Sequence, residues 1–270
     1  LTVARSSFVG NSFTSGGGSL FISAISDGTL LVDSSTFSGA VETGGGPWFG
    51  ASIQVASLEG EFDILNSTMD ETVVANGSAV SVGTVSAGTV NIAHSSIRGP
   101  GGVSIENNDS TTNPRIENSV LESTGAALAL ALDTSSNGAR VQLKYSILNT
   151  NLAGLADDVV GNLLATDPQL GALANNGGPR MFTRLPLAGS PAINAGDPAY
   201  SGNPAFDERG TGFARLQGTR IDIGAAEVKP ALAATGSTVS WWVIAIAAGV
   251  VILGVVTLIL SRRARSKIEA

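Results

Sequence analysis

Six short stretches in the first 150 residues repeat one alternation of apolar and polar positions: LTVARSSF, LLVDSSTF, FDILNSTM, VNIAHSSI, PRIENSVL and VQLKYSIL. Aligned without gaps, they share an apolar column of Val3, Val32, Ile64, Ile92, Ile116 and Leu143. Five residues on is a second, Phe8, Phe37, Met69, Ile97, Leu121 and Leu148, and every copy has a serine between them: Ser6, Ser35, Ser67, Ser95, Ser119 and Ser146. The copies stand 29, 32, 28, 24 and 27 residues apart, so the internal register is constant while the loops vary. That excludes a heptad or a helical pair. Ahead of the later copies come shorter alternating runs behind glycine: GGSLFIS, GASIQVAS, GSAVSVG, GGVSIEN and GAALALAL. Period-two alternation with β-branched residues predicts strands. A unit with two or three short strands cannot bury its own face, so successive units must stack, about 4.8 Å apart, and pair in parallel. The expected fold is all-β: a right-handed parallel β-helix (solenoid), then an irregular C-terminal cap segment and one transmembrane α-helix.

The repeat columns also carry the candidate chemistry. The serines read as a structural ladder at the turn between strands, bonding to neighbouring backbone groups or to each other. The preceding column, Arg5, Ser34, Asn66, His94, Asn118 and Tyr145, is mixed and polar, as solvent-facing positions are. His94 is the one histidine of the chain. With Arg98 and Arg115 it forms the candidate catalytic set, and Glu106 and Glu117 are expected near it. Asp33 and Asp63 are expected outward, in the same turn region of adjacent coils. Trp48, behind GGGP in the longest loop, is the candidate glycan contact. In the run around Leu128–Leu132 the leucines should point inward and Ala129 and Ala131 outward, under cover from the C-terminal segment.

From residue 163 to 227 the columns stop and proline and glycine rise. The preceding GLADDVVGN reads as one helical turn. Asp207, Arg209, Arg220, Asp222 and Glu227 offer both charge signs for ion pairs that would fix a cap over the last coil. Asp197, Asp207 and Asp222 suit calcium by ligand type but lack a tight spacing. No cofactor or metal is assigned, and a chain without cysteine and with one histidine cannot assemble a Cys/His site.

Charge is split along the chain. Residues 1–236 hold 21 acidic and 11 basic side chains, which argues against nucleic acid as a partner. From Trp241 to Leu260 run 20 residues without a charge, long enough for a helix across a bilayer. Trp241 and Trp242 stand at one end, and Arg262, Arg263, Arg265 and Lys267 at the other, which places the tail inside and residues 1–240 outside. Leu1 is neither an initiator methionine nor part of a signal segment, so the expectation is the C-terminal portion of a longer protein with further coils upstream.

Two resemblances rest on these residues. Leu232, Ala233, Ala234, Thr235 and Gly236, followed by the apolar span and basic tail, resemble a cell-wall sorting signal of Gram-positive surface proteins, in the Leu-Ala-x-Thr-Gly form read by class E sortases of actinobacteria. The implied partners are a class E-like sortase, whose cysteine attacks the Thr235 carbonyl, and a peptidoglycan precursor that receives the protein. The series DPQLG, NNGGP, LAGSPAINAGD, DERG and RIDIGAAE, behind the repeats, resembles the choice-of-anchor Q family of bacterial surface β-helix proteins. Here Ala226 stands where that family has an aromatic and Glu208 where it has glutamine. The expected organisation is coils over 1–150, cap 151–227, linker with sorting motif 228–240, membrane helix 241–260 and cytoplasmic tail 261–270. The expected role is an extracellular, wall-anchored surface protein that is adhesive or glycan-binding and not an enzyme. The alternative is a polysaccharide lyase or glycoside hydrolase with a groove along the solenoid.

Overall fold

The computed structural model describes residues 1–229 apart from 15–16, 45–49, 72–76, 108–112, 134–139, 153–155 and 180–181. Trp48, the motif Leu232–Gly236, the apolar run 241–260 and the basic tail lie outside the described residues. Among those described, no helix is long and apolar enough to cross a membrane.

The chain winds into a parallel β-solenoid with three main sheets. The first is seven-stranded: Thr2–Ala4, Thr29–Asp33, Glu61–Leu65, Thr89–Ala93, Arg115–Glu117, Val141–Lys144 and Ala156–Val160. The second stacks Ser7–Val9, Thr36–Ser38, Thr68–Asp70, Ser96–Gly99, Val120–Ser123 and Ile147–Leu148. The third stacks Leu20–Ile22, Gly50–Leu58, Ser78–Val85, Val103–Asn107 and Leu130–Asp133.

Strand register reproduces both apolar columns. Val3 pairs with Val32, Val32 with Ile64, Ile64 with Ile92, Ile92 with Ile116 and Ile116 with Leu143. Phe8, Phe37, Met69, Ile97, Leu121 and Leu148 align in the same way across the second sheet. These side chains meet Ile53, Val55, Val80, Val82, Val103 and Ile105 of the third sheet in one continuous core. Aliphatic residues dominate it because each site repeats every coil, and stacked branched chains fill the interior without polar atoms to satisfy. Phe62 is an aromatic member of it, and Phe8 and Phe37 stack at one end with ring centroids 4.7 Å apart.

Two expectations are corrected. Within GLADDVVGN there is no helical turn at Ala156–Val160; these residues pair with Val141–Lys144 as the last strand of the first sheet. Leu130 and Leu132 do point into the core, but Ala129 is fully buried in the same core and Leu128 is only partly covered. The Ala131 column, with Ser104, Ser81, Gln54 and Phe21, keeps partial exposure. The C-terminal segment bonds instead to the second sheet and to the turn that leads into it. Solenoid and segment together form one compact unit, Leu1–Lys229.

Candidate functional site

Each coil turns from the first sheet into the second through one residue in the left-handed region: Arg5, Ser34, Asn66, His94, Asn118 and Tyr145, with φ between 45 and 55°. Asparagine tolerates this conformation best among non-glycine residues, which accounts for Asn66 and Asn118. The next residue is the serine. Ser6 N–H donates to Ser35 Oγ at 3.1 Å, Ser35 N–H to Ser67 Oγ at 3.1 Å, and Ser67, Ser95 and Ser119 N–H to the following serine Oγ at 3.2 Å. Each hydroxyl in turn donates to the carbonyl two residues back in its own coil, as from Ser95 to Ala93 at 2.8 Å. Asn162 ends the ladder, its Oδ1 accepting Ser146 N–H at 2.8 Å. The serines are therefore spent on the backbone, in agreement with the structural reading.

Four of the six left-handed positions are not solvent-facing, whereas Arg5 is exposed and Tyr145 half-buried. Ser34, Asn66, His94 and Asn118 are buried, because residues 163–229 run laterally over this turn and over the outer face of the second sheet. At one end, Val120 and Ile147 pack with Ala192 and Ile223. Asn118 Oδ1 accepts Asp197 N–H at 2.7 Å, and its carbonyl accepts Gly224 N–H at 2.9 Å. Gly224 has φ 113°, and a Cβ there would stand 2.8 Å from Ser96 Oγ, so only glycine admits this approach. Ser96 Oγ accepts Ala225 N–H at 3.0 Å. Further along, Thr36 Oγ1 donates to Glu208 Oε1 at 2.9 Å and Thr68 Oγ1 to Glu208 Oε2.

Arg215 ties the seam at its centre. It is the largest fully buried side chain among the described residues, and it donates to the carbonyls of Gly224 and Ala225, to Asn66 Oδ1, to the His94 carbonyl and to Glu227 Oε1. Beside it Arg209 clasps Asp207 with its shortest bond at 2.5 Å, reaches the Glu227 carbonyl at 2.6 Å and lies over the Phe213 ring. Thus Asp207–Arg209 is the expected kind of ion pair. Arg220 instead binds the carbonyls of Ala195 and Gly196 and lies over the Tyr145 ring, while Asp222 accepts the N–H groups of Asn194 and Val228. Burial pushes the carboxyls of Glu208 and Glu227 up to about 8, prevailing over the threonine hydrogen bonds of the first and over Arg215 beside the second. Burial also raises Asp222.

His94 faces this same interior. Its ring meets Tyr200 edge-on at 5.8 Å, and Nδ1 is buried without a hydrogen-bond partner among the described residues. Burial, reinforced by the Arg215 charge, lowers its pKa to about 3, so the imidazole is neutral and enclosed. Arg98 lies on the second sheet between Asp70 at 3.6 Å and Glu122 at 3.9 Å. Arg115 is exposed on the first sheet, in register with Asn91 and Gln142. The three candidate catalytic residues are thus on different surfaces. Glu117 meets His94 only through its carbonyl, which accepts His94 N–H at 3.1 Å, and Glu106 belongs to the third sheet. Asp63 aligns with Leu31 and Asn91, not with Asp33.

Among the described residues, no three His, Cys, Asp or Glu side chains gather as a metal site. Asp197, named for calcium, instead turns Oδ1 to Ala199 N–H. Sequence reasoning missed Arg215, which reads as an ordinary solvated cation in GFARLQ. It also missed Glu71, fully buried where it accepts Ala40 N–H at 2.7 Å and the Ser52 hydroxyl at 2.8 Å. Comparison with family models, with curated proteins and with solved structures finds no match to this chain.

Proposed function

We propose that this chain is a wall-anchored surface protein of a Gram-positive, actinobacterial cell, a member of the choice-of-anchor Q family, whose right-handed solenoid is displayed outside the membrane to bind glycans without turning them over. The observation that carries the reading is the order of the C-terminal elements: Leu232–Gly236, an uncharged run of 20 residues and a basic tail. In this reading 241–260 is a transmembrane helix that holds the protein at the membrane until a class E-like sortase cleaves after Thr235 and transfers it to a peptidoglycan precursor. Tethering enzyme and substrate in one membrane raises their effective concentration. Small residues at 233 and 234 let an extended peptide enter a narrow groove.

A parallel solenoid serves binding proteins and enzymes alike, so the fold does not choose between them. Support for binding comes from the fate of the catalytic candidates: His94 is enclosed and neutral, and Arg98 sits apart from it between the Asp70 and Glu122 carboxylates. A general base has to reach the proton it removes.

The test expresses the full chain and a Thr235→Ala variant in an actinobacterial host that carries a class E sortase. Wild type should appear in the muramidase-released wall fraction and the variant in the membrane fraction; equal wall attachment of the two would refute sorting. The purified full chain, in a non-ionic detergent, is then offered neutral and uronate polysaccharides. Retention without release of reducing ends or unsaturated products is expected, and product release would overturn the non-enzymatic part.

A further inference from the structure

The lateral segment fills the seam along the left-handed column from Asn66 to Tyr145. Phe206 and Arg215 meet Asn66, Tyr200 meets His94, Asp197 meets Asn118, and Arg220 meets Tyr145. At the first position the filling stops. Between Arg5 and the turn Glu208–Thr211 remains a cavity of about 170 Å3, lined also by Pro179.

Among the described residues that line this cavity, Arg5 is the cation left without a direct partner. Arg209 is neutralised by Asp207, and both Glu208 oxygens face threonine hydroxyls. Asp33, on the neighbouring coil, accepts the Ser34 hydroxyl. Arg5 is exposed, and its guanidinium has no ion pair or hydrogen bond among the described residues. A planar guanidinium at the mouth of a cavity is suited to one carboxylate, which it can grip through two parallel N–H bonds. Gly210, where a Cβ would find no atom within 4 Å, leaves room on one side, and Pro179 adds an apolar flank. The volume lies below the several hundred Å3 of drug-sized pockets and suits a single ring.

We infer that this cavity is a binding site for a single acidic sugar residue, whose carboxylate pairs with Arg5 and whose ring rests between Pro179 and the Gly210–Thr211 turn. That the carboxylate belongs to a sugar rests on the glycan-binding reading above; that the site takes one carboxylate rests on the cavity and on Arg5. The site lies where the C-terminal segment returns to the first coil, so solenoid and segment each supply part of it.

The experiment is saturation-transfer NMR on the full chain in non-ionic detergent, with glucuronate, glucose, acetate and acetyl-dialanine as probes. Arg5→Asn is the main variant, because asparagine keeps the left-handed backbone and so the fold; Arg5→Lys keeps the charge without the fork. Glucuronate should receive saturation from wild type, glucose and acetate should not, and R5N should weaken glucuronate about tenfold, with R5K between. Equal binding of glucuronate to R5N and wild type overturns the site, as does acetate competing as well as glucuronate. Preferred binding of acetyl-dialanine overturns the sugar in favour of a peptide terminus. The two readings fail separately. A polysaccharide retained while glucuronate binds wild type and R5N equally refutes the cavity and leaves glycan binding standing. Arg5-dependent glucuronate binding with no polysaccharide retained refutes the broader reading alone.

Discussion

The solenoid and the segment laid along it are held together in opposite ways. In the solenoid one solution is repeated: an aliphatic column, a left-handed residue, a serine whose hydroxyl joins two coils. Any one coil's contribution is modest, and its neighbours offer the same contacts. The segment 163–229 has no repeat. It holds its place through single contacts between unlike partners, and most converge on Arg215 and the buried stretch Ile221–Glu227. Repetition spreads stability along the stack, whereas the segment concentrates it at a few polar groups that are costly to bury and more costly to leave unpaired.

The sharpest break of that comparison is Arg215→Met. It leaves the carbonyls of Gly224 and Ala225 and the Asn66 amide oxygen without this donor in a site closed to water. The expected loss is about 3–5 kcal/mol in chemical denaturation of the full chain, with R215K recovering less than half. A loss under about 1 kcal/mol would show that the segment is held by its apolar patch, Ala192 and Ile223 on Val120 and Ile147, and not by the buried guanidinium. The matching change in the solenoid is Ser95→Ala, which removes the acceptor of Ser67 N–H and one link of the ladder. It should cost about 1–2 kcal/mol, since one buried N–H loses its partner while the coils on both sides keep theirs. If Ser95→Ala were as damaging as Arg215→Met, the ladder would be a cooperative unit instead of a set of separate links.

The same contrast decides what could be read in advance. Both inner columns were legible to the residue, because a side chain that recurs at one register in every coil leaves a pattern stronger than any local propensity. The serine ladder was legible for that reason too. The column before it was visible but misread: its polar types suggested solvent, whereas Asn66 and Asn118 are there for a left-handed backbone, and its enclosure comes from residues about a hundred positions later. Arg215 carried no signal at all, because a buried arginine and a solvated one look alike until the acceptors around it are placed. The same holds for the cavity at Arg5, which exists only where two distant stretches meet.

The smallest expected effect also tests how the buried polar groups set the pH dependence. Glu208 and Glu227 have pKa values raised from 4.5 to about 8, so the folded state holds their protons more tightly than the unfolded one. Their contribution is complete below pH 4.5 and is lost as pH rises to about 8. His94 runs the other way: lowered from 6.5 to about 3, it contributes fully above pH 6.5 and loses this as pH falls toward 3. Between pH 4.5 and 6.5 these two carboxyls, with Asp222 and Glu71 also raised by burial, outweigh one imidazole, so stability should fall as pH rises through that range, while the imidazole sets an acid limb. His94→Asn removes only the acid limb, because asparagine does not titrate and suits the left-handed turn as Asn66 and Asn118 do. At neutral pH the variant should match wild type to within about 0.5 kcal/mol, and by about pH 5.5 it should be more stable by about 1 kcal/mol. Denaturation midpoints across that range decide the matter: parallel curves for the two proteins would mean that His94 takes up its proton as readily in the folded state as in the unfolded one, and therefore that the seam over the fourth coil stands open to water.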